Sequence, residues 1–255
     1  MTRNETTKAA LCSGQAKAYD ALPDLFDEPF TCACCGDTGL ELLADNTCRP
    51  CACSPMRKTR SRLARAGLLG AAKRMTFDAF RTDAPWQETL LSRARAFAGQ
   101  ENPGWLFIGG QSGSGKTHLC TAAAVALLRR GYAMQYMRWM SESTRLKEMS
   151  MDSGRMKLMD AYISAPLLYV DDLFKATPTD ADKHIAFELL DARYNDHSKV
   201  TILSSERTLD AILVIDEAIG GRILERCGAY VLRIAPDIQR NYRRMQSFGM
   251  QRPAP

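Results

Sequence analysis

A phosphate-binding loop carries the clearest chemistry in this sequence. Residues Gly110–Thr117 read G-Q-S-G-S-G-K-T, which fits the pattern G-x-x-x-x-G-K-[ST]. The loop follows the apolar run Trp105–Ile108 and precedes a helical stretch, which is the context the pattern requires. Glycines let backbone N–H groups surround nucleotide phosphates, and the helix N-terminus adds positive partial charge. The predicted nucleotide-binding residues are Gly110, Gly113, Ser114, Gly115, Lys116, Thr117 and His118.

Hydrolysis also needs an acid for Mg²⁺ and a group that orients water. Leu167–Val170 is an apolar strand that ends in two carboxylates, Asp171 and Asp172. We expect Thr117 and Asp171 to hold Mg²⁺, and Asp172 to act as the base or to position the water. Together with Lys116, which reaches the terminal phosphates, these residues predict binding of ATP and Mg²⁺.

Polar residues after a second apolar strand could sense the terminal phosphate. Ser204, Ser205 and Glu206 follow the run Thr201–Leu203, and each is a candidate for this sensor role. Arg222, after a glycine pair, could act as an arginine finger toward a neighbouring subunit's nucleotide. The alternative role for Arg222 is a surface ion pair with Glu225 or Glu217. Near the C-terminus, a second sensor could come from Arg240, Arg243 or Arg244.

Six of the nine cysteines lie between Cys32 and Cys53. In a reducing compartment such clusters are typical of metal sites rather than of disulfides. Two short-spaced pairs can close a tetrahedral zinc site of four sulfurs, with Cys32 and Cys35 as the first pair. Spacing favours Cys48 with Cys51 as the second pair, but Cys51 with Cys53 is also possible. About fifty residues bury too little apolar area to fold unaided, so we expect a structural zinc ion.

The composition predicts a globular protein and excludes a membrane span. The chain has 255 residues, of which 45% are hydrophobic and 25% charged. The first ten residues lack the apolar stretch of a secretory signal, and no apolar run approaches the roughly 18 residues that cross a bilayer. We therefore expect a cytoplasmic protein without membrane contact.

Three zones follow one another along the chain. Residues 1–56 hold the cysteines, and residues 57–75 form a basic linker that suits nucleic acid or serves as a solvated connector. Residues 76–255 alternate strand-like and helix-like segments, which predicts an α/β fold with a parallel five-stranded sheet flanked by helices. We expect strands near 105–109, 133–138, 167–171, 200–204 and 229–234. Helices are expected near 116–130, 141–162, 181–195 and 216–226.

Three motifs resemble the DnaC/DnaI-type helicase loaders, which are AAA+ ATPases of bacteria and their phages. They are G-Q-S-G-S-G-K-T-H-L at Gly110–Leu119, D-D-L-F-K at Asp171–Lys175 and I-D-E-A-I-G-G-R-I-L-E-R-C-G at Ile215–Gly228. The segment Met75–Phe80 resembles the family's lead-in, as does C-x-x-C-x-D-T-G at Cys32–Gly39 with C-x-C at Cys51–Cys53. The resemblance covers roughly residues 30 to 245.

This resemblance implies a P-loop AAA+ ATPase domain preceded by a small zinc-binding module that contacts the helicase. It implies Asp171 as the Walker B acid with Asp172 as its partner, Arg222 as a finger acting in trans, and Arg243 as a second sensor. It favours Cys51 and Cys53 as the second ligand pair, with Cys48 as the alternative. Many AAA+ proteins have Asp-Glu where this chain has Asp-Asp, which predicts slow hydrolysis stimulated by DNA or a partner. Sensor identity stays open between Ser205 and Glu206.

The sequence therefore predicts an ATP-dependent loader of a hexameric DnaB-type replicative helicase onto single-stranded DNA. ATP is expected to promote a homo-oligomer, and basic surface to follow the DNA phosphates. One alternative is an IstB-type transposition helper ATPase acting on duplex DNA. The other is a nucleotide-sensing adaptor that binds ATP and a partner with little turnover.

Overall fold

The described residues divide into two units, one within residues 1–73 and the other within residues 74–255. The structure is a computed structural model, and it describes Phe26, Pro29 and residues 31–65, 67–149, 153–237 and 240–242. None of the helices in these segments is both long and apolar enough to cross a membrane.

The first unit contains a short hairpin and two helices. Strands β1 (Leu40–Leu42) and β2 (Cys48–Pro50) pair antiparallel, and they are followed by helices α1 (Ser54–Arg65) and α2 (Leu69–Arg74). Most of the predicted basic linker is thus helical. Thr59 and Leu63, four residues apart on α1, are almost fully buried, so the helix presents one packed face.

The second unit is built around five parallel strands: β3 (Trp105–Gly110), β4 (Met134–Arg138), β5 (Leu167–Asp171), β6 (Val200–Ser205) and β7 (Val231–Ile234). Their order across the sheet is β4-β5-β6-β3-β7, and every pair is parallel. Strands β3, β5 and β6 are buried along their whole length, as expected for a sheet covered on both faces. The predicted five-stranded parallel sheet is confirmed.

Seven helices of this unit are described: α3 (Pro85–Gly99), α4 (Lys116–Arg129), α5 (Trp139–Glu148), α6 (Ser153–Ile163), α7 (Asp180–Tyr194), α8 (Leu209–Ile215) and α9 (Glu217–Cys227). A short 3₁₀ turn, Gly228–Tyr230, leads from α9 into β7. The core contains side chains of β3, β5, α7 and α9, among others.

The prediction of a single helix over 141–162 is wrong, because two helices occupy this region. Met149 ends α5 with an extended backbone, ψ 132°, and α6 begins at Ser153. The sequence between them, S-M-D at 150–152, contains Ser and Asp, residue types that favour helix ends because their side chains compete for backbone hydrogen bonds. Helices α3 and α8 were not predicted.

A buried arginine closes the end of the sheet opposite the phosphate-binding loop. Arg193 of α7 is fully buried, and burial lowers its pKa to about 10, so it stays charged at neutral pH. Its guanidinium donates to the Thr201 hydroxyl at 3.0 Å and to four backbone carbonyls, those of Tyr162, Ile163, Ala165 and Val200. One side chain thereby joins the end of α6 and the starts of β5 and β6.

Replacement of Arg193 by Met should destabilise the second unit strongly. The variant leaves several buried carbonyls without their donor, and we expect a loss of about 3–5 kcal/mol in the free energy of unfolding. Urea denaturation followed by circular dichroism measures it. The matched control is Arg233→Met, which removes an ion pair between half-exposed side chains and should cost less than about 1 kcal/mol. Equal losses for both variants would contradict this role of Arg193.

Candidate functional site

The phosphate-binding loop joins the end of β3 to the start of α4. Gly110, Gly113 and Gly115 all have positive φ, at 118°, 71° and 90°. A Cβ atom at Gly110 would overlap the carbonyl oxygen of Ile234 on the neighbouring strand β7. The loop can therefore follow this path only with glycine there. Lys116 is 5% exposed and curls over the loop, where its ammonium donates to the carbonyls of Gly110 at 2.9 Å and of Gln111 at 2.7 Å.

Asp171, at the end of β5, accepts four hydrogen bonds from hydroxyl groups. Thr117 of α4 donates to Oδ1 at 3.2 Å, and Ser204 of β6 donates to the same oxygen at 2.6 Å. Two tyrosines supply the rest: Tyr169 donates to Oδ1 at 2.8 Å, and Tyr136 donates to Oδ2 at 3.0 Å. Burial, and then the charge of Asp171, raises the pKa of both tyrosines, so both remain donors at neutral pH.

The structure thus brings together Thr117 and Asp171, the two residues predicted to hold Mg²⁺. A hydroxyl and a carboxylate oxygen are ligands that suit this hard cation. The two residues fit the ion by donor type, and Mg²⁺ bound there would neutralise phosphate charge.

Asp172 follows the last residue of β5 and has a left-handed backbone, φ 61°, so the extended conformation of the strand ends before it. Its N–H donates to the Ser204 hydroxyl at 2.9 Å. Its carboxylate accepts from Lys175 at 2.6 Å. The residue predicted to act on water is thus held in an ion pair.

The three sensor candidates have different partners. Ser204 bonds Asp171 and Asp172, as described above, whereas the Ser205 hydroxyl donates to the carbonyl of Leu173 at 2.6 Å. The Glu206 carboxylate accepts from Ser112 of the phosphate-binding loop at 2.8 Å. Successive side chains of a strand point to opposite faces of the sheet, so Ser204 and Ser205 lie on opposite faces of β6. Ser204 is thus the serine that contacts the predicted Mg²⁺ acid, while Ser205 supports the following turn.

Two clefts meet at the loop. One, of about 180 Å³, has four charged lining residues, Lys116, Lys175, Asp172 and Glu206. The other, of about 210 Å³, is lined by aromatic and polar residues that include Phe80, His118 and Tyr242. His118 packs edge-on against Phe80 with ring centroids 5.3 Å apart, and its Nε2 lies 2.7 Å from the carbonyl oxygen of Thr76, to which it donates. The charged cleft suits phosphates, and its neighbour suits a base.

The cysteine cluster lies in the first unit. The sulfurs of Cys32, Cys35, Cys51 and Cys53 lie within 4.8 Å of one another, and all four residues are buried. Cys32 Sγ is 3.9 Å from Cys51 Sγ, and Cys35 Sγ is 3.6 Å from Cys53 Sγ. Four sulfurs around zinc at about 2.3 Å would be about 3.8 Å apart, so the set fits a tetrahedral zinc ion.

The surroundings of the cluster favour a metal. The Gly39 N–H donates to Cys35 Sγ at 3.3 Å. Burial opposes this effect, but the Gly39 N–H and the Cys53 thiol lower the pKa of Cys35 to about 7, whereas burial raises the pKa of Cys51 and of Cys53. Arg57, predicted to belong to a basic linker, instead pairs with Asp37 beside the cluster at 2.8 Å. Cys48 is exposed on β2 and is not a member of this group of four.

A family model for the IstB-like ATP binding protein matches residues 42–247 of the chain. The chain belongs to this family. It is 31% identical over 242 residues to the phage-like element PBSX protein XkdC of Bacillus subtilis (strain 168), covering 83% of this chain and 88% of XkdC. The crystal structure of the DnaC helicase loader matches with a TM-score of 0.54 and 18% identity, over 66% of this chain and 99% of that one. The crystal structure of DnaI matches with a TM-score of 0.52 and 18% identity, over 65% of this chain and 93% of that one.

These findings confirm the predicted resemblance to DnaC/DnaI-type and IstB-like AAA+ proteins. Within this IstB-like ATPase, the predicted arginine finger Arg222 is held by its own chain. Its guanidinium bonds Asp191 at 2.6 Å and stacks over the rings of Phe187 and Tyr194. The expected alternative, an ion pair on the surface, is present with Asp191 in place of Glu217 or Glu225. Arg243 lies outside the described residues.

Sequence reasoning missed the tyrosines of the IstB-like site and the residues that support Asp172. Tyr169 could have been found, because it lies two residues before Asp171 and so on the same side of the strand. Tyr136 depends on the register between β4 and β5, in which it faces Tyr169. Lys175 lies in a turn whose path no periodicity predicts, and so does Arg207, whose Nε donates to the Phe174 carbonyl at 2.8 Å.

Removal of the Ser204 hydroxyl should slow ATP hydrolysis. Ser204→Ala takes a donor from Asp171 and an acceptor from the Asp172 N–H, so we expect the turnover rate at saturating ATP to fall about tenfold. The control is Ser198→Ala, in an exposed turn beside Asp196. A phosphate-release assay measures both. The assignment to Ser204 is wrong if Ser205→Ala lowers turnover and Ser204→Ala does not.

Zinc content should identify the cysteine ligands. We expect one zinc ion per chain in the purified protein, and loss of most of it in Cys35→Ser or Cys53→Ser, because three thiolates and a hydroxyl bind zinc poorly. Cys48→Ser should retain the metal. Elemental analysis of the purified variants measures this, and retention by Cys53→Ser with loss by Cys48→Ser would reverse the assignment.

Proposed function

We propose that this chain is an ATP-dependent loader that binds a hexameric DnaB-type replicative helicase and transfers it to single-stranded DNA. The observation that carries the proposal is a four-cysteine unit followed by an ATPase unit. In the ATPase unit the phosphate-binding loop lines a charged cleft, and Thr117 and Ser204 both bond Asp171. The fold shared with the DnaC helicase loader supports it. A chain with this role acts in the cytoplasm, where the chromosome is.

In this proposal each nucleotide-site residue has a distinct task. Lys116 leaves the carbonyls of its own loop and binds the terminal phosphates, which offer a stronger, charged acceptor. Thr117 and Asp171 hold Mg²⁺, Asp172 orients the attacking water, and Ser204 keeps both acids in position. Because Asp172 is shorter than the glutamate that many AAA+ proteins have at this position, it reaches water less well, and we expect slow turnover that a partner or DNA stimulates.

Arg222 is proposed to act on the nucleotide of a neighbouring subunit in an ATP-dependent homo-oligomer. Its side chain is about one-quarter exposed, and its partner Asp191 about one-third. A bound triphosphate of the next subunit would compete with Asp191 for the guanidinium, since both offer anionic oxygens in the geometry that arginine prefers. The aromatic rings under Arg222 would keep the guanidinium near this position.

The DNA contact is proposed to be independent of sequence. Lys58, Lys73 and Arg74 are exposed in the basic stretch over 57–75. Basic side chains that follow the phosphates of single-stranded DNA need no base readout. The cysteine unit, in turn, is proposed as the helicase-binding module, with its structural zinc held by Cys32, Cys35, Cys51 and Cys53.

A transposition helper is the second candidate, and the family itself favours it, because the matched model is that of the IstB-like ATP binding protein. A chain with that role would assemble on duplex DNA with ATP and cooperate with a transposase. The two candidates share the nucleotide site and differ in the macromolecule that they bind.

Light scattering of this protein mixed with the replicative helicase of its own cell tests the proposal. We expect a co-migrating complex of defined stoichiometry that forms with ATP. Cys35→Ser should abolish it, because the cysteine unit loses its metal, and Lys116→Ala should abolish its ATP dependence. Lys183→Ala, on the exposed surface of α7, is the control and should leave the complex intact.

Binding to labelled single-stranded and duplex DNA completes this test. Absence of a helicase complex, together with ATP-dependent binding to duplex DNA, would replace the loader by the transposition helper. A helicase complex whose ATP dependence is unchanged in Lys116→Ala would contradict the proposed role of ATP in forming the complex.

A further inference from the structure

A second lysine lines the phosphate cleft beside Lys116. The ammonium of Lys175 lies 2.6 Å from Asp172 Oδ2 and 3.8 Å from Glu206 Oε1. Its side chain is 41% exposed, so it reaches the cleft from the solvent side and can move. Lys175 thus lies between the acid proposed to orient water and an acid that is bonded to the phosphate-binding loop through Ser112.

The turn that carries Lys175 is held in a strained conformation. Asp172 and Phe174 both have a left-handed backbone, with φ of 61° and 54°, although neither is glycine. The end of β6 fixes this turn: Leu173 N–H donates to the Ser204 carbonyl at 2.8 Å, and Arg207 Nε donates to the Phe174 carbonyl at 2.8 Å. Such strain persists only where neighbours over-determine the backbone, and it is concentrated at functional sites.

The charges that line the cleft give this lysine a role when a triphosphate binds. Its charged lining consists of two ammonium groups, from Lys116 and Lys175, and two carboxylates, from Asp172 and Glu206. Without Lys175, one ammonium would face two carboxylates at the place that must accept an anion. The repulsion would be greatest for the terminal phosphate of ATP, which ADP lacks.

We propose that Lys175 is a positioning residue that distinguishes ATP from ADP. In this structure it pairs with Asp172 and lies 3.8 Å from Glu206 Oε1. When ATP binds, its ammonium moves to the γ-phosphate, a more highly charged acceptor, and Asp172 is released to orient water. With ADP no such acceptor is present, and the Lys175–Asp172 pair remains. This inference rests on the proposed binding of ATP at this site and names how the site recognises the third phosphate.

Nucleotide affinity of the full-length protein tests this inference without measuring turnover. The probes are ADP and the non-hydrolysable β,γ-imido analogue of ATP, both with Mg²⁺, titrated by calorimetry. Lys175→Met should weaken the ATP analogue about tenfold and ADP less than about twofold, since one charge-assisted contact is lost only with the γ-phosphate.

The chain offers a matched control variant in Lys183→Met. Lys183 also pairs with an aspartate three residues earlier, Asp180, at 2.9 Å, but it does not line the cleft. It should change neither affinity. Asp172→Asn should strengthen binding of the ATP analogue, because it frees Lys175 and removes a negative charge. This gain should shrink severalfold in the Lys175→Met background, because the two side chains act as a pair.

Each outcome bears on the inference. Equal weakening of ADP and of the ATP analogue, or no change in either, would overturn it, and so would wild-type protein that binds neither nucleotide, which would also remove the proposed ATP site. Wild-type protein that binds both nucleotides, with selective weakening in Lys175→Met but no helicase complex, would support the role of Lys175 and reject the helicase loader.

Discussion

The buried carboxylate of Asp171 is the interaction on which the arrangement of the nucleotide site depends. Its four hydroxyl donors come from four different elements: Thr117 of α4, Tyr136 of β4, Tyr169 of β5 and Ser204 of β6. A carboxylate withdrawn from water is costly unless its oxygens are hydrogen-bonded. The carboxylate therefore holds the carboxyl ends of three strands and the start of the phosphate-binding helix in one arrangement, and this arrangement includes the two residues proposed to bind Mg²⁺.

The strand order explains why the proposed sensor lies on β6. Because β6 lies between β3 and β5, its last residues face both the phosphate-binding loop and the two acids. Ser204 bonds Asp171 on one side, and Glu206 bonds Ser112 of the loop on the other. On the opposite side of β3, strand β7 limits the loop, since the Ile234 carbonyl leaves no room for a side chain at Gly110. The cleft is thus shaped by backbone on one side and by charged side chains on the other.

The strands and the phosphate-binding loop depend on local sequence pattern and could be predicted from the sequence. The contacts that depend on how neighbouring strands pair could not. Buried parallel strands are continuous apolar runs, so β3, β5 and β6 were predicted within a residue or two, and so was the loop after β3. The choice between Ser204 and Ser205 depends on which side of β6 meets β5, and an apolar run buried on both faces gives no such signal. The contribution of Tyr136 depends in the same way on strand pairing.

The turn after Asp171 shows how strain and packing together determine one side chain's position. Two non-glycine residues in the left-handed region cost on the order of 1–3 kcal/mol each, so a free loop would relax. Here Phe174 is buried edge-on against Trp139 at 5.4 Å, and Arg207 binds the carbonyls of Phe174 and Ala176. A relaxed turn would let Asp172 leave both Ser204 and the cleft. The strained turn is therefore stabilised by the core behind it. It keeps the Asp172 carboxylate within reach of Lys175 and at the cleft, as the proposed exchange of Lys175 for water requires.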